Sequence, residues 1–256
     1  FEGDMDVPTV EEADRSYCLD AVNAAFGFSL TEHDIEGAYA GLRPLIAGKE
    51  GATADLSRRH RVYDISPGVI GITGGKLTTW RRMAKDAVDR VAEELGVEQK
   101  CKTQHIKLGS SDVNALKLAV SGRAAKLGLD EHVTENLVRC YGDRALAVLD
   151  LASETGATGA LVEGRAPIAA EALYGARAEM VVHLSDLLAR RTRLALIDPS
   201  AGIGESSSAP ALLSGELGWT EAHTQAEIDA HRQTIERERG TPLRPDRRPV
   251  GASFLR

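Results

Sequence analysis

Two glycines and a lysine, Gly74-Gly75-Lys76, stand between an apolar stretch and the amphipathic run that opens Leu77-Thr78-Thr79-Trp80. A Gly-Gly pair permits a tight turn with no side chains in the way. The first turn of a following helix leaves N–H groups without intrahelical partners and carries partial positive charge. An anion or an electron-rich ring edge is the favourable neighbour for such a turn. Lys76 adds a full positive charge, and Thr78 and Thr79 add hydroxyls. This is not a nucleotide P-loop, because G-x-x-x-x-G-K-[ST] needs Gly at 70 and Ser or Thr at 77, where the chain has Ile70 and Leu77. Gly71 and Gly74 do not form G-x-G-x-x-G either, and that string occurs nowhere in the chain. On spacing alone, a plain strand-to-helix turn with a solvated Lys76 stands beside the ligand cradle as a reading.

The elements that would position this turn are legible on both sides. "RHRVYDI" alternates like a strand, "SPG" signals a turn, and "GVIGIT" reads as a short apolar strand. A long helix is expected from Leu77 to Leu95, closed by Gly96. Upstream, a helix with Thr9 or Asp14 as cap runs to Gly27, and Thr31 with Asp34 starts a short one. "GAYAGLRPLIAG" reads as extended and residues 48–57 as a loop. After about Val97 the composition changes, "EQKCKTQHIKLGSSD" reads as a linker, and only helical patterns follow. They are expected at 113–127, 132–141, 143–154, 168–188 and 220–239, with "DPSAGIGESSSAP" as a loop between the last two. The reading is a mixed α/β piece over 1–100, an all-α piece over 101–240, and a disordered, Pro- and Arg-rich tail over 241–256.

Composition narrows the classes. The 256 residues are 43% hydrophobic and 27% charged, as in a soluble globular protein. Aromatics make up only 4%, too few for single-strand stacking platforms, and the net charge of -7 disfavours a nucleic-acid polyanion. Cys18, Cys101 and Cys140 are odd in number and form no C-x-x-C, so neither a zinc knuckle nor a disulfide framework is suggested, and a reducing cytosol is the natural compartment. The histidines show no metal-ligand spacing, and no metal is expected. No apolar run reaches the length of a membrane span, and no signal peptide is visible. Phe1 opens the chain where a Met would, so an interior cut is expected.

"GLRPLIAG", "LSRRHRVYDISPGVIGITGGKLTTWRRMAKDAVD" and "LYGARAEMVVHLSDLLARRTRLALID" occur in that order. Together they resemble the C-terminal half of FAD-dependent, aerobic-type glycerol-3-phosphate dehydrogenases. The likeness spans almost the whole chain, including the opening "EGDMDVPTVEEADRSYCLDAVN". It implies the end of an FAD-binding flavoprotein domain, truncated at its N-terminus, followed by an all-α C-terminal domain. The implied reaction is oxidation of sn-glycerol 3-phosphate to dihydroxyacetone phosphate, with electrons passing to a quinone or another acceptor. Carried over residue by residue, Arg43 of "GLRPL" and Arg58 of "LSRRH" hold the substrate phosphate. Lys76 sits by flavin and substrate as the catalytic residue, and Gly74, Gly75, Lys76, Leu77, Thr78 and Thr79 support the flavin ring. A guanidinium fork suits a phosphate dianion. The resemblance also implies a cytoplasmic protein, peripheral on the inner face of the membrane in quinone-linked members, and it admits a homodimer.

In an alternating strand Arg58 and His60 share one face and Arg59 and Arg61 the other, so one face meets substrate and the other solvent. His60 reads as a structural residue that neighbours the phosphate site, and "ARRTR" at 189–193 as a helix end suited to its dipole. The family begins with a strand–GxGxxG–helix unit for the ADP part of FAD, which this chain lacks. No turnover by the chain alone is therefore expected. Two alternatives stay open at this level. One is a non-catalytic helical assembly or docking module, and the other a related flavin-dependent hydroxy- or amino-acid oxidoreductase.

Overall fold

A computed structural model of the chain describes residues 5, 6, 8–42, 59–109, 112–240 and 243. They fall into two compact units, Gly41–Leu108 and a larger one made of Phe1–Ala40 with Gly109–Arg256. Arg43, Arg58, the whole expected loop at 48–57 and all of the tail except Leu243 lie outside the described residues.

In the smaller unit, β1 (His60–Ser66) and β2 (Val69–Gly74) form an antiparallel hairpin with His60 opposite Gly74 and Val62 opposite Ile72. Gly68, at φ 77°, makes the turn that "SPG" announces. A single 3₁₀ turn, Leu77–Thr79, then leads into α2 (Trp80–Glu94). The helix stops as its Gly signal requires, with Gly96 left-handed at φ 66° and Val97 N–H donating to Ala92 O at 2.8 Å. Two charged contacts hold α2 against the hairpin. His60 Nε2 lies 2.9 Å from Asp86 Oδ2, and Arg90 Nη2 donates to Asp64 Oδ2 at 2.9 Å. Among the described residues of this unit only Gly71 and Gly74 are buried. Ile65 and Val69 on the hairpin and Trp80 and Val88 on the helix are exposed. The described part of the unit has helix and sheet but no side-chain core of its own. Its α/β character amounts to one antiparallel pair and one long helix.

The larger unit is helical. It begins with α1 (Glu12–Phe26), capped by Glu11, whose N–H donates to Asp14 Oδ2 at 3.1 Å, and ended by left-handed Gly27. Asp14 serves the cap from inside the first turn, and neither Thr9 nor Asp14 is itself the cap residue. A 3₁₀ turn at Glu32–Asp34 follows, with Thr31 N–H donating to Asp34 Oδ2 at 2.8 Å. Residues 1–40 belong with the C-terminal helices. Val10 N–H donates to Glu238 O at 3.2 Å, Glu36 lies 3.6 Å from Arg165, and Gly37 abuts the Leu196 backbone. Compact packing thus follows a different partition from the division at residue 100 drawn from composition.

Helices α3 (Val113–Lys126), α4 (Glu131–Tyr141), α5 (Ala145–Thr155) and α6 (Ala169–Ala178) enclose one apolar core that includes Val120, Leu137, Leu149 and Ile168. A second core gathers Leu161, Leu184, Leu187, Leu188, Leu194 and Leu213. It draws on a π-helical turn at Asp186–Arg191, α7 (Leu194–Ile197) and α8 (Ala209–Leu217), and Ile228 of α9 (Glu221–Arg239) packs against it. The expected single helix over 168–188 is broken. Met180 turns left-handed at φ 58°, and Val181 N–H closes back on Gly175 O at 3.1 Å. The segment after Asp198 is not all loop, because Pro210 enters the first turn of α8, where its missing N–H costs nothing. No described helix is long and apolar enough to cross a membrane.

Candidate functional site

The Gly-Gly-Lys turn sits at the join of β2 and α2. Gly74 and Gly75 take φ of 74° and 83°, conformations that L side chains rarely adopt. At Gly75 space is short as well. A Cβ there would lie 2.8 Å from Met83 Cε and 3.2 Å from His60 Cβ. Lys76 is extended and exposed, and its N–H donates to Thr79 Oγ1 at 3.2 Å. The Thr79 hydroxyl donates back to Lys76 O at 2.9 Å, and Thr79 N–H reaches the same carbonyl at 2.9 Å. Thr79 therefore closes the turn from within. Leu77 and Thr78 are exposed, Leu77 at 89%, and their amides open the 3₁₀ turn, where N–H groups have no intrahelical partner.

Below the turn, the Asp86 carboxylate accepts from Arg82 Nε at 2.8 and 3.0 Å and faces His60 Nε2 at 2.9 Å. The Arg82 guanidinium, then His60, holds the Asp86 carboxyl below the usual carboxylate range. His60 thus turns toward α2, while Arg59 and Arg61 are exposed. On another side of α2, a cleft of about 650 Å³ opens toward residues 97–108, with Trp80, Val88, Ile106 and Leu108 in its lining. Of the expected site residues, the structure brings Gly74 to Thr79 together at one helix mouth. Arg43 and Arg58 are outside the described residues.

The larger unit holds polar groups that sequence reasoning passed over. Glu171 is 2% exposed; its Oε1 accepts Ile168 N–H at 2.8 Å, and Asn136 Nδ2 lies 3.5 Å away. Burial pushes its carboxyl up to about 7. The available signal was a lone acid three residues into the apolar run "PIAAEALYG", the N3 position of a cap. His231 is fully buried, with Nε2–H donating to Ala201 O at 3.0 Å, and burial lowers its pKa. "ARRTR" is used structurally. Arg190 pairs with Asp186 at 2.9 Å, and Arg191 donates to Glu179 O at 2.6 Å. Among the described residues, no three His, Cys, Asp or Glu side chains gather as metal ligands.

Residues 101–224 match the family described as the C-terminal domain of alpha-glycerophosphate oxidase. Glycerol-3-phosphate dehydrogenase 2 of Mycobacterium tuberculosis (strain ATCC 25618 / H37Rv) is 34% identical over 99% of this chain and 43% of its own length. The mitochondrial glycerol-3-phosphate dehydrogenase SDP6 of Arabidopsis thaliana is 28% identical over 90% of this chain and 39% of its own length. The crystal structure of the glycerol-3-phosphate dehydrogenase from Bacillus halodurans complexed with FAD superposes with a TM-score of 0.73 at 27% identity, covering 97% of this chain and 48% of that one. The chain spans less than half the length of each of these relatives. Over nearly its whole length the chain is similar to glycerol-3-phosphate dehydrogenases, one of them complexed with FAD, and about half of it matches the C-terminal domain of alpha-glycerophosphate oxidase.

Proposed function

We propose that this chain is the C-terminal part of an enzyme that oxidises sn-glycerol 3-phosphate at its secondary alcohol to dihydroxyacetone phosphate. By sequence, residues 1–100 complete its FAD- and substrate-binding domain, although residues 1–40 pack with the helices of 101–240, the helical C-terminal domain. The observation that carries the reading is the Gly74-Gly75-Lys76 turn at the mouth of α2, in a chain that superposes on an FAD-complexed relative.

The residues present suit a flavin. The two glycines take left-handed backbone conformations and leave the turn bare, the 3₁₀ turn begins with partnerless amides, and an exposed lysine stands beside them. Bound at this turn, FAD would supply the hydride acceptor for the alcohol carbon. The chain's own residues do the rest at this wall of the site. Gly74 and Gly75 let the ring edge come close, and the amides of Leu77 and Thr78 stabilise negative charge there. Lys76 adds its ammonium to the same spot. Arg43 and Arg58 grip the phosphate dianion of the substrate. A quinone or another acceptor takes the electrons away. The same resemblance makes it a cytoplasmic protein, peripheral on the inner face of the membrane where the acceptor is a quinone, and is compatible with a homodimer.

The test uses the full-length protein purified with its flavin and assays glycerol-3-phosphate-dependent dye reduction. Reduction that follows FAD content is the expected result. A flavin-loaded protein that ignores glycerol 3-phosphate and oxidises an unphosphorylated hydroxy acid would contradict the phosphate substrate.

A further inference from the structure

The two glycines make the turn permissive, so something outside it must choose one conformation. Thr79 does this on the C-terminal side through its hydroxyl. On the N-terminal side stands His60, in register with Gly74 across the hairpin. Its side chain is 18% exposed, and its Nε2 lies 2.9 Å from Asp86 Oδ2. Asp86 lies on the second turn of α2 and is gripped in turn by Arg82 Nε, at 2.8 Å to Oδ1 and 3.0 Å to Oδ2. The heavy atoms nearest to the missing side chain of Gly75 belong to Met83 and His60. The turn is thus wedged between a helix residue and a strand residue, and the carboxylate of Asp86 ties that strand residue to the helix.

We propose that His60 and Asp86 are positioning residues, a strut that holds the Gly74-Gly75-Lys76 turn in fixed register with the start of α2. In so far as the strut serves catalysis, it rests on the flavin reading given above. The geometry favours this role over ligand binding, because the His60 nitrogen and the carboxylate face each other. A charged hydrogen bond of this kind also sets direction as well as distance. Two nearby pairs are separate from it: Lys85 pairs with Asp89 along α2, and Arg90 ties Asp64 near the far end of the hairpin.

Amide hydrogen exchange on the full-length protein tests the strut directly. His60→Ala and Asp86→Ala should each speed exchange at Gly75 to Thr79 about tenfold or more relative to the middle of α2. His60→Gln, which keeps an N–H donor, should recover most of the protection, and Asp89→Ala should leave the turn as in wild type. A second arm uses the full-length, FAD-loaded protein. There the two alanine variants should alter the flavin absorption spectrum and lower kcat about tenfold, with KM for glycerol 3-phosphate little changed, and His60→Gln should restore both. Wild-type exchange at the turn in both alanine variants overturns the strut, as do a wild-type flavin spectrum and kcat in the loaded enzyme. A full-length protein that binds no FAD contradicts the proposed activity, and the exchange result then decides the strut on its own.

Discussion

The Glu171 carboxylate accepts the backbone N–H of Ile168 at 2.8 Å from inside the helical core, with only 2% of the residue exposed. It caps α6, and it does so at a cost, because burial lifts its carboxyl from 4.5 to about 7. An acid with a raised folded pKa stabilises the fold fully below its unfolded pKa and loses that contribution as pH rises through the folded value. The contribution of Glu171 to the unfolding free energy should therefore fall by about 3 kcal/mol between pH 4.5 and pH 7, at roughly 1.4 kcal/mol per pH unit. Glu171→Gln keeps an oxygen for Ile168 and removes the charge. Urea unfolding across this range should show that fall as the difference between wild type and the variant.

His231 works in the opposite sense. Burial depresses its pKa, and its Nε2–H is given to Ala201 O. A base with a depressed folded pKa contributes stability above 6.5 and loses it as pH falls below that value. His231→Gln preserves a donor without a titrating ring. The variant should lose the part of the acid-side decline that begins just below pH 6.5, measured in the Glu171→Gln background to separate the two groups.

Gly75 and Gly68 form a matched pair for a backbone test. Both are left-handed, at φ 83° and 77°, but only at Gly75 does an added Cβ meet neighbours, while at Gly68 nothing lies within 4 Å. Gly68→Ala should cost about 1 kcal/mol from conformation alone. Gly75→Ala should cost about 1 kcal/mol more, because Met83 must move. Equal costs in parallel unfolding curves would mean that Met83 swings away freely.

Arg239 ends α9 by donating to three carbonyls, Ala195 O at 2.6 Å, Pro199 O at 3.0 Å and Asp198 O at 3.1 Å, while 6% exposed. Arg239→Ala leaves buried acceptors unmet and should cost about 3 kcal/mol or more. Lysine cannot reproduce the fork and should recover only part of it. Differential scanning calorimetry of the two variants checks the order.

Much of this architecture could be read from the chain before any coordinates. The hairpin and α2 announce themselves because alternation, "SPG" and Gly96 are local signals, and so does the Gly-Gly-Lys turn between them. What escaped depends on distant partners. The break after Ala178 is fixed by buried Val181, whose N–H closes on Gly175 O while exposed Met180 turns left-handed, and no Gly or Pro marks it. α8 hid behind a Ser-, Gly- and Pro-rich approach, although Ala211, Leu212 and Leu213 follow at once. The burial of Glu171, His231 and Arg239 was illegible because each sits where an exposed polar residue would also fit the local pattern. The association of residues 1–40 with the helical unit rests on single long-range contacts such as Val10 with Glu238.

The most direct test of the central claim is anaerobic addition of glycerol 3-phosphate to the full-length, FAD-loaded protein, following the flavin absorbance in wild type and Lys76→Ala. The Gly74-Gly75-Lys76 account predicts bleaching of the flavin in wild type and bleaching about a hundredfold slower in the variant, as when a preorganised charge-stabilising donor is lost. Equal rates in the two proteins, or no bleaching in wild type, would contradict it.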